Sequence, residues 1–492
     1  MTGPDAMKEC CQRAREAARQ WRQRPVTERL RFVAAFRRLL ADAADELAAA
    51  VARDVSKSTA EVLGGEVLPL AEACRFLQRE APGLLRPRRV PGRSRPIWLW
   101  GQKDVVHRRP RGIIGIIGTW NYPLFLNGVQ ILQAVTAGNA VVWKPSEVAP
   151  ASAAALAGLL RRAAFPPGLV EVLETTRDAG AALLEAPIDH VVLTGSAATG
   201  RIVARRLGER LVSSTMELSG CDPLFVLHDA DVELAARAAW FGATLNAGQT
   251  CVAARRAFVH RPLYAPFCEI VFRLSAKAAP VRLAMPAQAE QAGHLIADAV
   301  ARGGRLLTSG PPQEPNCDFP PTAVADARPE MLLCQEASFA PLLAVLPFDD
   351  SSELVRMNQA CPYHLGAAIF TRTPRAAFAL ADDLRSGVVT INDVIAPTAH
   401  PATPFGGRGE SGWGVTQGAE GLLEMTVPQV VSRRSGRFRP HYQLAAGQAT
   451  PETLAVQEDL LRGLLESGHA QTWRRRWRGW WRFLRAAWRM SS

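Results

Sequence analysis

Apolar positions in the first fifty residues recur with a helical period. Ala17 and Trp21 fall four apart, with Arg13 at the same spacing before them, and Phe32, Phe36, Leu39 and Leu40 form an i, i+4, i+7, i+8 stripe. Pro25 separates the two series, so residues from about 5 to 54 are expected to form two helices. A Pro- and Arg-rich passage at 81–96 reads as a connection, and 97–109 as a hairpin or extended arm. The pattern changes at Gly112. Short apolar runs at 112–117, 140–143, 169–173 and 190–193 alternate with longer helix-like stretches, and a second series follows Cys251 at 256–260, 342–347, 367–370 and 387–391. Strands alternating with helices predict βαβ units and parallel sheets. The expected architecture is two α/β halves with a site in the crevice between them.

A chain of 492 residues, 48% hydrophobic and 21% charged, can bury a large core and is expected to divide into two or three domains. Lys8, Arg13, Arg15 and Arg19 interrupt the N-terminal region, so no secretory signal is expected, and no stretch of about 18 apolar residues suggests a membrane span. The nine cysteines (10, 11, 74, 221, 251, 268, 317, 334 and 361) show no metal-ligand spacing and fit a reducing cytoplasm. Most read as small apolar packing residues.

The net charge of +12 would raise the question of nucleic acid, but its distribution points elsewhere. Residues 467–492 hold seven arginines and no acid. Between 471 and 490, Trp473, Trp477, Trp480, Trp481, Leu484 and Trp488 fall within about 100° of one another on a helix, with Arg474, Arg478, Arg482, Arg485 and Arg489 beside them. An interfacial helix lying on a membrane is the favoured reading, because Trp settles at headgroup level and Arg pairs with phosphate. A helix packed on a partner subunit and a nucleic-acid arm are the alternatives. A preceding amphipathic helix is expected at 454–465.

Candidate chemistry begins with Phe241-Gly-Ala-Thr-Leu-Asn-Ala-Gly-Gln-Thr-Cys251, a thiol among small residues that permit tight turns. Glu217, in Met-Glu-Leu-Ser-Gly, could activate water against whatever the sulfur captures, although a surface carboxylate beside a turn is the plain alternative. Gly195-Ser-Ala-Ala-Thr-Gly200 follows a strand-like run and opens a helix-like one at 201–211, a context suited to phosphate. Lys144, Ser146 and Glu147 follow the strand at 140–143, where ligands meet the carboxyl ends of parallel strands.

Together with Gly118-Thr-Trp-Asn-Tyr-Pro123 and Pro404-Phe-Gly-Gly407, these segments resemble the aldehyde dehydrogenase superfamily over about residues 15 to 435, most of all its class 3 branch of fatty and aromatic aldehyde dehydrogenases. The resemblance implies an α/β fold with a Rossmann-type dinucleotide-binding domain (1–95 and 111–219), an α/β catalytic domain (220–420) and bridging, oligomerising strands (96–110 and 421–435). The region 450–492 is left as a helical tail. It further implies NAD or NADP as cofactor, contacted by Trp120, Lys144, Ser146, Glu147, Gly195, Ser196, Gly200, Leu218, Glu336 and Phe339. A homodimer is expected, with no nucleic-acid partner.

The implied chemistry is oxidation of an aldehyde to the carboxylic acid. Cys251 is the nucleophile, Asn121 and the Cys251 backbone N–H are oxyanion donors, and Glu217 is the base that hydrolyses the thioester. A medium- or long-chain or aromatic aldehyde and a cytoplasmic location at the inner face of a membrane are expected. The alternatives are an acylating coenzyme A-dependent semialdehyde dehydrogenase, which Glu217 disfavours, and a non-catalytic membrane-associated scaffold. Two departures from the family pattern stand out. Ala337 occupies the place of a carboxylate that would hold the nicotinamide ribose, with Glu336 displaced by one residue. Ser219 replaces a glycine and is expected to be tolerated if its φ is negative. Asn392, Phe405, Gly406 and Gly407 match positions near a substrate tunnel, although core packing and turns explain them nearly as well.

Overall fold

In a computed structural model, residues 4–96, 99, 101–308, 317–436, 439, 442 and 450–490 are described. The chain divides into two compact units, one of residues 1–87 and 107–429, the other of residues 88–106 and 430–492.

In the first unit the N-terminal region forms three helices rather than two: Pro4–Trp21, Val26–Asp42 and Ala44–Val55. The extra break, at Ala43, carries neither Pro nor Gly, so periodicity alone gives no sign of it. The connection expected from Ala81 begins later, because the helix Leu68–Leu84 continues through Pro82. A six-stranded sheet runs in the order Gly412–Trp413, Ser213–Glu217, His190–Thr194, Ile113–Ile117, Ala140–Lys144, Val170–Val172. Its pairs are parallel except at the Gly412–Trp413 edge. Counting from Ile113–Ile117, the chain adds two strands on one side and then crosses to the other. The carboxyl ends of Ile113–Ile117 and His190–Thr194 therefore flank the topological switch point, the place where such sheets bind ligands.

A seven-stranded sheet follows in the order Arg305–Leu306, Thr322–Ala325, Leu342–Phe348, Ala254–His260, Asp222–Val226, Gly366–Phe370, Val388–Ile391, parallel except at its first pair. It begins at Asp222–Val226, before Cys251, whereas the pattern of apolar runs starts it after that residue. Alternate residues of these strands enter two separate cores: Phe225, Phe258, Ala344 and Ile369 face one side, and Leu224, Val226, Val345 and Phe370 the other. Burial on both faces explains why these strands read as unbroken apolar runs.

The second unit holds the strand Arg88–Arg89, paired antiparallel with Gln102–Pro110, which is in turn bonded to Thr426–Arg434. The first part of the arm expected at 97–109 includes Ile97, Trp98 and Trp100, which lie outside the described residues. Two helices, Pro451–His469 and Trp473–Arg489, complete this unit. Among the described residues no helix is long and apolar enough to cross a membrane.

Candidate active site

Cys251 is presented by an unusual stretch of backbone. Asn246, Ala247 and Gly248 all have positive φ (54°, 55° and 71°), which turns the chain sharply before the thiol. Glycine is required at 248, where a Cβ would lie 2.4 Å from the Ala340 carbonyl carbon. The fully buried Arg255 donates to the carbonyls of both Gly248 and Ala340, clamping the Cys251 loop to the Phe339–Ala340 segment. The Cys251 backbone N–H donates to no acceptor among the described residues, leaving it free for an oxyanion.

Glu217, at the carboxyl end of Ser213–Glu217, is buried rather than on the surface. It lies close enough to Cys251 for the two groups to shift one another's titration, and Glu217 Oε1 has no hydrogen-bond partner among the described residues. Burial pushes the Glu217 carboxyl up to about 7, against the lowering effect of the neighbouring Cys251 thiol and with a further rise from Asp222. Burial and the adjacent Glu217 charge also hold the Cys251 thiol well above its ordinary 9.0. The pair is thus a protonated thiol beside a carboxylate poised near neutrality, able to take its proton.

Asn121 is tied to the same loop. Its Nδ2 donates to the Gln249 carbonyl at 3.0 Å, and its Oδ1 accepts from Thr119 Oγ1 at 2.7 Å. That leaves the second amide hydrogen for a developing oxyanion. Its backbone carbonyl accepts from Asn246 Nδ2 at 3.0 Å and from Lys57 Nζ at 2.6 Å. Lys57 was not foreseen. It is buried, bonds Glu66 Oε1 at 2.8 Å and sits 3.9 Å above the Tyr122 ring, while the other Glu66 oxygen accepts the Leu124 N–H at 2.8 Å. Glu66 lies in the π-helical turn Leu63–Val67, an irregularity frequent at functional sites. Lys57→Met is expected to lower stability by about 3–5 kcal/mol by stranding the Glu66 carboxylate. Lys57→Met/Glu66→Leu should recover most of that loss in urea unfolding; an unchanged single variant would show that the pair does not brace this loop.

The thiol opens onto a cavity of about 440 Å³ whose wall includes Pro69, Phe125, Leu126, Phe241, Leu245, Ile395 and Phe405. Phe405 lines it as expected. Asn392 does not: its side chain spans the Thr371 backbone, accepting from the N–H at 3.0 Å and donating to the carbonyl at 2.9 Å, and its φ is 56°. Gly406 and Gly407 serve close packing, since a Cβ would lie 2.3 Å from the Gly414 carbonyl oxygen and 2.5 Å from Ser411 Cβ respectively.

Of the residues expected at a dinucleotide, Trp120, Lys144, Ser146, Glu147, Gly195, Ser196 and Leu218 lie at or just past the carboxyl ends of strands of the six-stranded sheet, and Gly200 in the helix that follows; Glu336 and Phe339 precede Leu342–Phe348 of the other sheet. Ser196 caps the helix Ala197–Glu209, accepting from the Thr199 N–H at 3.2 Å, and the first amides of that helix face the switch point. Gly200 lets this helix approach Leu218, whose side chain would lie 2.6 Å from any Cβ there. Gly195 is bonded to the Glu217 carbonyl at 3.0 Å. Ser146 is buried, and its Oγ accepts from the Val148 N–H at 3.2 Å. Lys144 Nζ bonds Glu147 Oε2 at 2.8 Å, and Arg177 reaches Glu147 Oε1 at 3.3 Å. Although burial opposes it, the Lys144 hydrogen bond keeps the Glu147 carboxyl below its ordinary value. Trp120 packs on Phe339 with ring centroids 6.0 Å apart. Glu336 is exposed and Ala337 half-buried. Ser219 is not among the residues with positive φ, which accounts for the tolerated glycine replacement.

The aldehyde dehydrogenase family model matches residues 2–431. The chain belongs to this family. It is 33% identical over 435 residues to a 4,4'-diapolycopene aldehyde oxidase of Methylomonas sp, covering 87% of this chain and 81% of that protein. It is 32% identical over 442 residues to a succinate-semialdehyde dehydrogenase [NADP(+)] of Deinococcus radiodurans, covering 87% and 90%. A Mycobacterium tuberculosis aldehyde dehydrogenase complexed with NAD+ superimposes with a TM-score of 0.83 at 27% identity, covering 89% of this chain and 92% of that one. As an aldehyde dehydrogenase the protein oxidises an aldehyde with NAD or NADP. The helix amides behind Ser196, the close approach at Gly200 and the polar groups of Lys144, Ser146 and Glu147 fit such a dinucleotide.

Proposed function

We propose that this enzyme converts an apolar aldehyde, medium- or long-chain or aromatic, to the free carboxylic acid, with Cys251, Glu217 and Asn121 as its catalytic groups. The observation that carries the reading is Cys251 in the wall of an apolar cavity of about 440 Å³, beside the buried carboxyl of Glu217. Glu217 accepts the thiol proton and Sγ adds to the carbonyl carbon. The oxyanion is met by Asn121 Nδ2 and the Cys251 N–H, each worth roughly 2.7–4 kcal/mol in comparable sites. NAD or NADP, when bound, supplies the two-electron acceptor, and Trp120, Lys144, Ser146, Glu147, Gly195, Ser196, Gly200, Leu218, Glu336 and Phe339 would hold it. The acyl group is then a thioester on Sγ, and Glu217, having released the thiol proton to solvent, activates the water that frees the acid and restores the thiol.

A carboxylate-bearing semialdehyde fits less well. Among the lining residues the sole cation is Lys57, and its ammonium is occupied by Glu66, the Asn121 carbonyl and the Tyr122 ring. The relative named 4,4'-diapolycopene aldehyde oxidase supports the apolar choice. Formation of NADH or NADPH from decanal, benzaldehyde and succinate semialdehyde, with and without coenzyme A, tests all of this. The expected order of kcat/KM places decanal or benzaldehyde first, with no coenzyme A requirement. A coenzyme A requirement would establish the acylating alternative, and no reduction above a Cys251→Ala control would establish the scaffold.

The same reading divides the first unit into a dinucleotide-binding part around the six-stranded sheet and a catalytic part around the seven-stranded one. It makes the protein a homodimer bridged by Gln102–Pro110 and Thr426–Arg434, the strands found within the expected 96–110 and 421–435, of which 421–424 instead end a helix; exposed Val430 and Val431 support this. Its nine free thiols suit a cytoplasmic setting, and the Trp/Arg helix suits contact with the inner face of a membrane through residues 471–490, without nucleic acid.

A further inference from the structure

The tail is a helical hairpin with an internal charge division. Pro451–His469 carries Glu452, Glu458, Asp459 and Glu466 against one arginine, Arg462, whereas Trp473–Arg489 carries seven arginines and no acid. The helices meet backbone to backbone: a Cβ on Gly463 would lie 2.5 Å from the Phe483 nitrogen, and one on Gly479 2.5 Å from the Ser467 nitrogen. Leu460, Leu464 and Ala486, with Val456, Phe483, Ala487 and Met490 packed on them, fill the seam.

Trp473–Arg489 therefore has three faces. Gly479, Phe483, Ala486 and Met490, spaced i, i+4, i+7, i+11, close the hairpin. Trp473, Trp477, Trp480, Trp481, Leu484 and Trp488 form the second face, all exposed, with Trp473 at 72% and Trp488 at 75%. Arginines form the third. Of these, Arg482 is engaged across the seam, 3.7 Å from Asp459 and 3.4 Å from Glu466. Arg478 and Arg485 point outward.

We infer that this hairpin docks on a bilayer surface rich in anionic phospholipid, with Trp473–Arg489 against the headgroups and the acidic Pro451–His469 turned away. This rests on the membrane contact proposed above and names its chemistry. Packing the exposed tryptophans is satisfied by the acyl–headgroup boundary, and the arginines beside them lie at phosphate depth. A second copy of the same face would bring two arginine rows together. A nucleic acid would neutralise the arginines but leave the tryptophan face in water.

The full-length protein would be sedimented with vesicles of pure phosphatidylcholine and of phosphatidylcholine containing 30% phosphatidylglycerol. Binding to the anionic vesicles alone, reduced by 0.5 M NaCl, is expected, with a blue shift of tryptophan emission. Arg478→Glu/Arg485→Glu should lower partitioning at least about 30-fold, on roughly 1 kcal/mol per basic group, whereas Arg478→Lys/Arg485→Lys should retain it. Both positions are exposed, so hairpin packing is untouched. Equal binding to both vesicles would overturn the anionic specificity and leave the membrane contact standing. Binding to neither would remove the contact itself, as would self-association through the tail or preferential capture of RNA under the same conditions.

Discussion

Glu217→Gln is expected to stop turnover at the acyl-enzyme. With the base gone, acylation should slow because the thiol must lose its proton to solvent, yet an aldehyde and cofactor should still yield about one equivalent of reduced cofactor per site, and intact-mass spectrometry should find the protein heavier by one acyl group. Steady-state turnover should fall by about 10²–10⁴-fold. Because burial raises the Glu217 carboxyl from 4.5 to about 7, the acid limb of the wild-type rate should bend near pH 7 and be absent from what activity remains in the variant. The same shift affects stability. The native state keeps its proton to a higher pH than the unfolded chain, so between about pH 4.5 and 7 the unfolded state binds fewer protons and stability falls as pH rises. Asp222, also raised by burial to about 7, acts in the same direction. Glu217→Gln should accordingly gain stability relative to wild type at pH 8 and lose that advantage at pH 4. An unshifted acid limb in the variant would assign the titration to another group.

Cys251→Ala should be the more severe lesion. Without the sulfur no tetrahedral adduct forms, and activity is expected to fall by about 10⁴-fold or more. Neither burst nor acyl adduct should be detectable. The fold should survive, because Cys251 is a small residue beside a cavity. Losing the thiol, whose presence lowers the Glu217 carboxyl, should also move the Glu217 titration upward. A Cys251→Ala protein that still shows burst kinetics would transfer the nucleophile's role elsewhere.

How much of this was legible in the chain depends on the range over which each feature is encoded. Eight strands of the two sheets announce themselves as unbroken apolar runs, because burial on two faces demands them, whereas Ser213–Glu217, Asp222–Val226 and Thr322–Ala325 do not; Glu217 and Cys251 lie in short segments with their own wording. Ser219 could be judged from one dihedral sign. Lys57 and Glu66 could not, since a Lys and a Glu nine residues apart look solvated until the Tyr122 and Leu124 segment is folded over them. Arg255 is hidden for the same reason, its partners being carbonyls that carry no residue identity. In the tail, helical periodicity separates tryptophan from arginine, but the third face depends on Gly463 of another helix.

The Arg255 clamp bears on anyone who wishes to redesign this enzyme. Because one guanidinium holds both Gly248 and Ala340, residues 246–251 and 339–340 behave as a single replaceable cartridge. Exchanging either piece for a homologue's counterpart without the other would mismatch the two carbonyls, so chimeras should be cut outside both segments.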